Sequence, residues 1–118
     1  MTSPPASAPA RSEPPSCPLP LDGVRVIDLT RILAGPFCTQ LLADLGADVI
    51  KIESPDGGDP LREQGVKVDG LSWYFAGFNR NKRSVVLDLR AAEGMAALTD
   101  LLRTADVLVE NFRPDRKS

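Results

Sequence analysis

The chain has no histidine, and only two cysteines, Cys17 and Cys38, among 118 residues. Without an imidazole, a Ser-His or Cys-His nucleophile pair and a His-containing zinc site are excluded within it. Cys17 lies in a proline-rich tail and Cys38 in a helical pattern. A disulfide between them is therefore not expected, and a reducing compartment, the cytoplasm, is the plainer address. A preponderance of one charge is lacking too. Fourteen Lys and Arg face sixteen Asp and Glu, a formal net charge of −2. No global basic field is present to gather nucleic acid. No apolar run approaches the length of a membrane-spanning helix. The N-terminus offers neither the basic start nor the apolar core of a signal peptide. Arg11 is the only basic residue of the tail, and the prolines around it oppose the amphipathic helix of a mitochondrial presequence, the alternative address. Neither G-x-G-x-x-G nor G-x-x-x-x-G-K-[ST] occurs, so a dinucleotide or Walker-type site lacks its glycines.

What is present is ordinary for a globular domain: 42% hydrophobic and 25% charged residues. The length allows one small domain. Residues 1–18, rich in Pro, Ser and Ala, cannot bury enough apolar area to offset their ordering entropy, and disorder is expected there. The folded part spans 19–114, with 115–118 as a separate end. Val24, Val26, Ile27 and Leu29 read as a strand. Gly35-Pro36 break it, and Pro36 suits the first position of a helix. Phe37, Leu41 and Leu45, with Cys38 and Leu42, recur at helical spacing and are expected to form its buried face. Gly46 is its stop, and Val49–Ile52 is a second strand. The loop after Glu53 is rich in Pro, Asp and Gly. Residues 65–70 form a brief hairpin or more loop, and 71–78 a short helix or a buried connection. Val85–Leu89 is a third strand, Arg90–Ala105 a helix containing Gly94, and Asp106–Glu110 a fourth strand. Alternating β and α elements predict an α/β fold with an open parallel sheet. Ligands gather at the carboxyl ends of such strands.

Three features could carry chemistry. The turn TRILAGPF precedes a helix start, where N–H groups favour an anion. Its alternative is a purely structural crossover. The cluster Arg80, Lys82 and Arg83 could neutralise phosphates, or could simply keep a turn in water. It is expected to open a strand that leads to the same sheet edge as the other loops. The acids at strand ends could serve as nucleophile or base, but no pair stands out by spacing.

Taken in order, PLDGVRVIDLTRILAGPFCTQLLADLGADVIKIE, GGDPLR, NRNKRSVVLDLR and ADVLVENFRP resemble the N-terminal portion of the class III CoA-transferases. This family of formyl-CoA and carnitine-CoA transferases also includes the α-methylacyl-CoA racemases. The resemblance covers about Pro18 to Pro114. It implies a Rossmann-like large domain, incomplete here, in an interlocked homodimer. It also implies transfer of CoA between an acyl-CoA and a carboxylic acid through an aspartyl-CoA intermediate. Coenzyme A and acyl-CoA are then substrates, and no metal or prosthetic group is needed.

Site residues follow from the same resemblance. Leu33 and Ala34 would lie with their backbone near CoA. Leu33 stands where the formyl-CoA branch has glutamine, which points away from a formyl or oxalyl substrate. Ser54 occupies a position that is often basic, so one phosphate contact would be missing or would fall to Arg62 or a neighbour. Leu87, Asp88, Leu89 and Arg90 match the adenine-side segment, with Arg90 as a phosphate partner. Asn111, Phe112 and Arg113 match the stretch beside the pantetheine, and Asn79, Lys82 and Arg83 a block that orients loops or phosphates. The family's nucleophilic aspartate aligns with no residue here, so the chain alone is expected to be inactive and, with its strand edges uncovered, marginally stable. A racemase-like fragment, whose histidine and aspartate would also lie beyond residue 118, is the alternative. A non-catalytic CoA-binding or partner protein is another.

Overall fold

The computed structural model describes residues 18–114. The proline-rich tail, apart from Pro18, and the end at 115–118 lie outside the described residues. Strand β1 (Arg25–Asp28), helix α1 (Ala34–Asp44) and strand β2 (Asp48–Glu53) form the expected β–α–β unit. A 3-10 turn (Pro60–Glu63) follows, then a hairpin of β3 (Lys67–Val68) and β4 (Leu71–Ser72). Helix α2 (Trp73–Asn79), strand β5 (Lys82–Val86), helix α3 (Ala92–Leu102) and strand β6 (Val107–Val109) complete the chain.

The main sheet has four strands in the order β5-β2-β1-β6, and every pairing is parallel. The order reverses at β1: β2 and β5 lie to one side of it, β6 to the other. Loops leaving the carboxyl ends of β1 and β6 therefore diverge there and leave a crevice.

Strand side chains alternate between the two faces. One face of β1 and β2 presents Val26 and Val49, which pack with Ala43 and Ala47 around α1. The opposite face presents Ile27, Ile50 and Ile52, which pack on Leu98 of α3. By the same parity Asp28, Lys51 and Glu53 share the α1 face, and all three are buried. One side of the sheet is thus greasy throughout, while the other turns ionic toward its carboxyl edge.

That division decides which side of α1 points inward. The buried residues of α1 are Gly35, Pro36, Thr39, Gln40 and Ala43. Phe37, Leu41 and Leu45, expected to be buried, are 49%, 46% and 46% exposed, and Cys38 is exposed as well. The inward face must meet Asp28, so it carries Thr39, which donates to that carboxylate at 2.7 Å, rather than leucine. Phe37 instead meets Phe78 edge-on at 5.9 Å on the outer side.

Other boundaries shift for identifiable reasons. β5 starts at Lys82, three residues before the apolar run. Lys82 pairs with Val49 and Ser84 with Lys51, and both side chains are drawn into the polar face. Asn81, at φ +67°, makes the tight turn just ahead. The hairpin reading of 65–70 is the right one. Asp69 and Gly70 have φ of +53° and +82°, the two positive values that a two-residue type I′ turn requires. Residues 71–78 are largely helix, capped by Ser72, whose hydroxyl accepts from the Phe75 N–H at 3.2 Å. α3 begins at Ala92. A Cβ on its Gly94 would stand 1.9 Å from the Asp88 carbonyl oxygen, so the glycine lets α3 close onto the loop that leaves β5.

Candidate functional site

At the carboxyl edge of the sheet a cavity of about 280 Å³ opens. Leu29, Ile52, Leu87, Leu89 and Phe112 supply its apolar lining. Ser54, Asp56, Asp88 and Arg90 line its mouth. A second cavity of about 330 Å³ adjoins it, lined by Arg31, Ile32, Pro60, Asn111, Phe112 and Arg113. Arg31 and Phe112 line both cavities.

The loops around these cavities are fixed by buried ions beneath them. Lys51, with its side chain 1% exposed, pairs with Asp59 at 2.9 Å and donates to the Thr30 carbonyl at 3.0 Å. Asp59 also accepts from the Ile32 N–H at 3.0 Å and the Leu61 N–H at 2.9 Å. Ile32 has φ +73°, a conformation that costs a β-branched residue free energy and needs outside support. Asp59 supplies that support, and its ion pair with Lys51 holds it in place. The turn between β1 and α1 is thereby clamped to the loop after β2.

Glu53 forms a second clamp. Its carboxylate accepts from Arg62 Nε at 2.8 Å and Nη2 at 2.6 Å, from the Asp59 N–H at 2.9 Å, and from the Ser84 hydroxyl. Burial pushes this carboxyl up, but Arg62, Ser84 and the Asp59 N–H outweigh burial and hold it down at about 2. The Arg62 guanidinium also lies 3.8 Å over the Phe75 ring, which ties α2 to the same clamp. Asp28 is the third. It accepts from Thr30 and Thr39 and pairs with Lys82 at 3.0 Å. Burial would raise its carboxyl, yet the Thr30 hydroxyl and the Lys82 ammonium, with Thr39 and Lys51, hold it below the usual range. Burial in turn pulls the Lys82 ammonium below an ordinary lysine, against the opposing pull of Asp28.

The structure sorts the residues singled out by sequence. Ser54, Leu87, Asp88, Leu89, Arg90 and Phe112 meet around the first cavity, and Asn111, Phe112 and Arg113 around the second. Leu33 and Ala34 line neither; they sit at the exposed start of α1, where Leu33 supplies no side-chain cap. Asn79 and Lys82 also stand apart. The Lys82 ammonium is spent on Asp28, on the Asn79 side-chain oxygen at 2.7 Å and on the Pro36 carbonyl. Arg83 pairs with Asp48 at 2.7 Å, and its strand partner is Ile50, near the start of β2. The basic block thus sits at the amino ends of the strands rather than at the edge where the other loops gather. It could not do otherwise once β5 begins at Lys82.

Sequence reasoning placed Arg31 only within the turn before α1, named Glu53 and Asp59 only among the acids at strand ends, and did not single out Lys51. For Lys51 and Glu53 a signal existed. In VIKIE, Ile50 and Ile52 alternate with Lys51 and Glu53, and a parallel strand covered on both faces buries both sets.

With this geometry in view, the chain can be set beside known proteins. The pattern of CoA-transferase family III matches residues 21–118. The chain belongs to CoA-transferase family III. A succinate–glutarate CoA-transferase of Agrobacterium fabrum is 52% identical over 103 residues, 81% of this chain and 26% of the relative. A formyl-CoA:oxalate CoA-transferase of Rhodopseudomonas palustris is 57% identical over 97 residues, 80% of this chain and 22% of the relative. A crystal structure of a CaiB/BaiF family protein from Brucella suis superposes with a TM-score of 0.75 at 48% identity, covering 81% of this chain and 26% of that one. The chain therefore spans about a quarter of the length of these family III relatives. The cavities at the carboxyl edge of its sheet are built from the first part of the family's sequence.

Proposed function

We propose that this chain is the CoA-binding N-terminal part of a CoA-transferase that moves CoA between an acyl-CoA and a carboxylic acid through an aspartyl-CoA intermediate. The observation that carries this reading is the first cavity. Four apolar side chains and Phe112 offer a slot for a flat heteroaromatic ring, and Arg90 at the mouth offers a guanidinium for a phosphate. The start of α1 adds first-turn N–H groups with no side-chain acceptor, a setting that favours an anion. Leu33 and Ala34 would contribute through that backbone.

The attacking carboxylate is assigned to sequence outside these 118 residues. Among the acids near the cavity, Glu53 and Asp59 are consumed by the clamps. Asp56 and Asp88 both pair with Arg90, at 3.1 and 3.2 Å. The relatives are named for different acids, succinate and glutarate in one, formate and oxalate in another. The substrate of this chain is therefore proposed as a class, an acyl-CoA with a carboxylic acid acceptor. Phe37, Leu41, Trp73 and Tyr74 are exposed and suit burial by further polypeptide or by a second copy, in keeping with an interlocked homodimer. The exposed thiol of Cys38 suits the reducing cytoplasm. Among the described residues no helix is long and apolar enough to cross a membrane.

Calorimetric titration of the folded chain with CoA tests the binding claim. Saturable heat, weakened by Arg90→Ala, is expected. A folded sample that gives no heat with CoA would overturn it.

A further inference from the structure

Arg31 differs from the other cations near the carboxyl edge. Lys51, Arg62 and Arg90 each pair with a carboxylate. Among the described residues the Arg31 guanidinium pairs with none. It lies 5.8 Å from the centre of the Phe112 ring instead. Its backbone is held from the far side of the crevice. The Arg31 N–H donates to the Asn111 side-chain oxygen at 3.1 Å, and the Asn111 amide donates to the Arg31 carbonyl at 3.0 Å. This reciprocal pair joins the loop after β1 to the segment after β6, where the strand order reverses. It also occupies both ends of the Asn111 amide, which makes Asn111 a positioning residue for Arg31.

We propose that Arg31 is the anchor for the diphosphate of a nucleotide-tailed ligand. The proposal rests on the CoA-binding reading above and adds a residue to it. Arg31 and Phe112 form the partition shared by the two cavities. A ligand with its ring in the first cavity and its tail in the second must cross this partition with its middle. In CoA that middle is the diphosphate. A planar guanidinium beside an aromatic ring, on a backbone held by Asn111, can give bidentate contacts to phosphate oxygens. The uncompensated charge of Arg31 and the exposed Arg113 beside it make the partition the unneutralised part of the site.

The test compares three ligands on the 118-residue chain: CoA, dephospho-CoA without the 3′-phosphate, and pantetheine without the nucleotide. Arg31→Gln is expected to weaken CoA and dephospho-CoA alike, by about ten- to a hundredfold, the range of a lost charged hydrogen bond. Pantetheine binding should stay within about twofold. Arg31→Lys keeps the charge and the aliphatic packing but loses the fork, and should fall between. Arg103→Gln, an exposed site just past the end of α3 and away from the cavities, is the control. A loss confined to CoA would assign Arg31 to the 3′-phosphate and overturn the proposal. So would Arg31→Gln binding all three ligands as the unsubstituted chain does. If the unsubstituted, folded chain binds neither CoA nor dephospho-CoA, the CoA-binding reading itself fails, a result distinct from the other two.

Discussion

Replacing Lys51 with methionine should unfold most of the molecule's margin without touching the cavity surface. The ammonium and the Asp59 carboxylate are each 1% exposed and 2.9 Å apart. Methionine is close in shape, so packing is largely kept, but buried Asp59 loses its direct ion-pair partner. It retains the N–H groups of Ile32 and Leu61, which soften the loss without neutralising it. Removing one partner of a buried pair costs about 3–5 kcal/mol. A domain of this size has about 5–15 kcal/mol in total, and this one is expected near the lower end. Urea unfolding followed by circular dichroism measures the loss. The double variant Lys51→Met/Asp59→Asn should recover part of it, because asparagine is neutral and still accepts from Ile32 and Leu61 through its oxygen. The coupling read from that cycle should exceed about 1 kcal/mol. A Lys51→Met cost below about 1 kcal/mol, or strictly additive effects, would refute the clamp.

Three further predictions follow from particular contacts. Glu53 titrates at about 2 in the fold against an ordinary 4.5, so the unfolded state binds the extra proton first. Its stabilisation, at most about 3 kcal/mol and reduced by the partly exposed Arg62, is full above pH 4.5 and is lost as the pH falls toward 2. Glu53→Gln should flatten that part of the stability–pH curve, and parallel curves for the two proteins would contradict the assignment. Gly94→Ala, which in an open helix would add about 1 kcal/mol, should instead destabilise, because its Cβ would stand 1.9 Å from the Asp88 carbonyl oxygen; a raised thermal midpoint would count against this packing. Leu41→Glu should change stability by less than about 0.5 kcal/mol and reduce self-association on size exclusion, because Leu41 is 46% exposed, whereas a core leucine would cost several times more.

The parallel α/β architecture was legible because each strand and helix carries its own period and its own punctuation at Pro36 and Gly46. The inward face of α1 was not. Phe37, Leu41 and Leu45 form the more apolar stripe, and periodicity assigns the apolar stripe to the core. The sheet beneath α1 presents Asp28, Lys51 and Glu53, so the complementary stripe is the one with Thr39 and Gln40. That choice depends on a partner surface the helix sequence does not contain. The basic block was misplaced for a related reason. Lys82 and Ser84 read as a polar turn until their strand partners and the buried Asp28 and Glu53 are known. The family blocks carried Ser54, Leu87–Arg90 and Asn111–Arg113 to the two cavities because these segments end adjacent strands. Arg31 was passed over because its role depends on Asn111, eighty positions away.

The central claim is that CoA binds across the carboxyl edge of the sheet. An amide-resolved NMR titration of the labelled chain with CoA tests it most directly. The account predicts saturable shifts at Arg31, Ser54–Asp56, Leu87–Arg90 and Asn111–Phe112, with Asn79, Lys82 and Arg83 unmoved. Shifts centred on Arg25, Asp48 and Arg83 at the amino edge, or none at all in a folded sample, would contradict it.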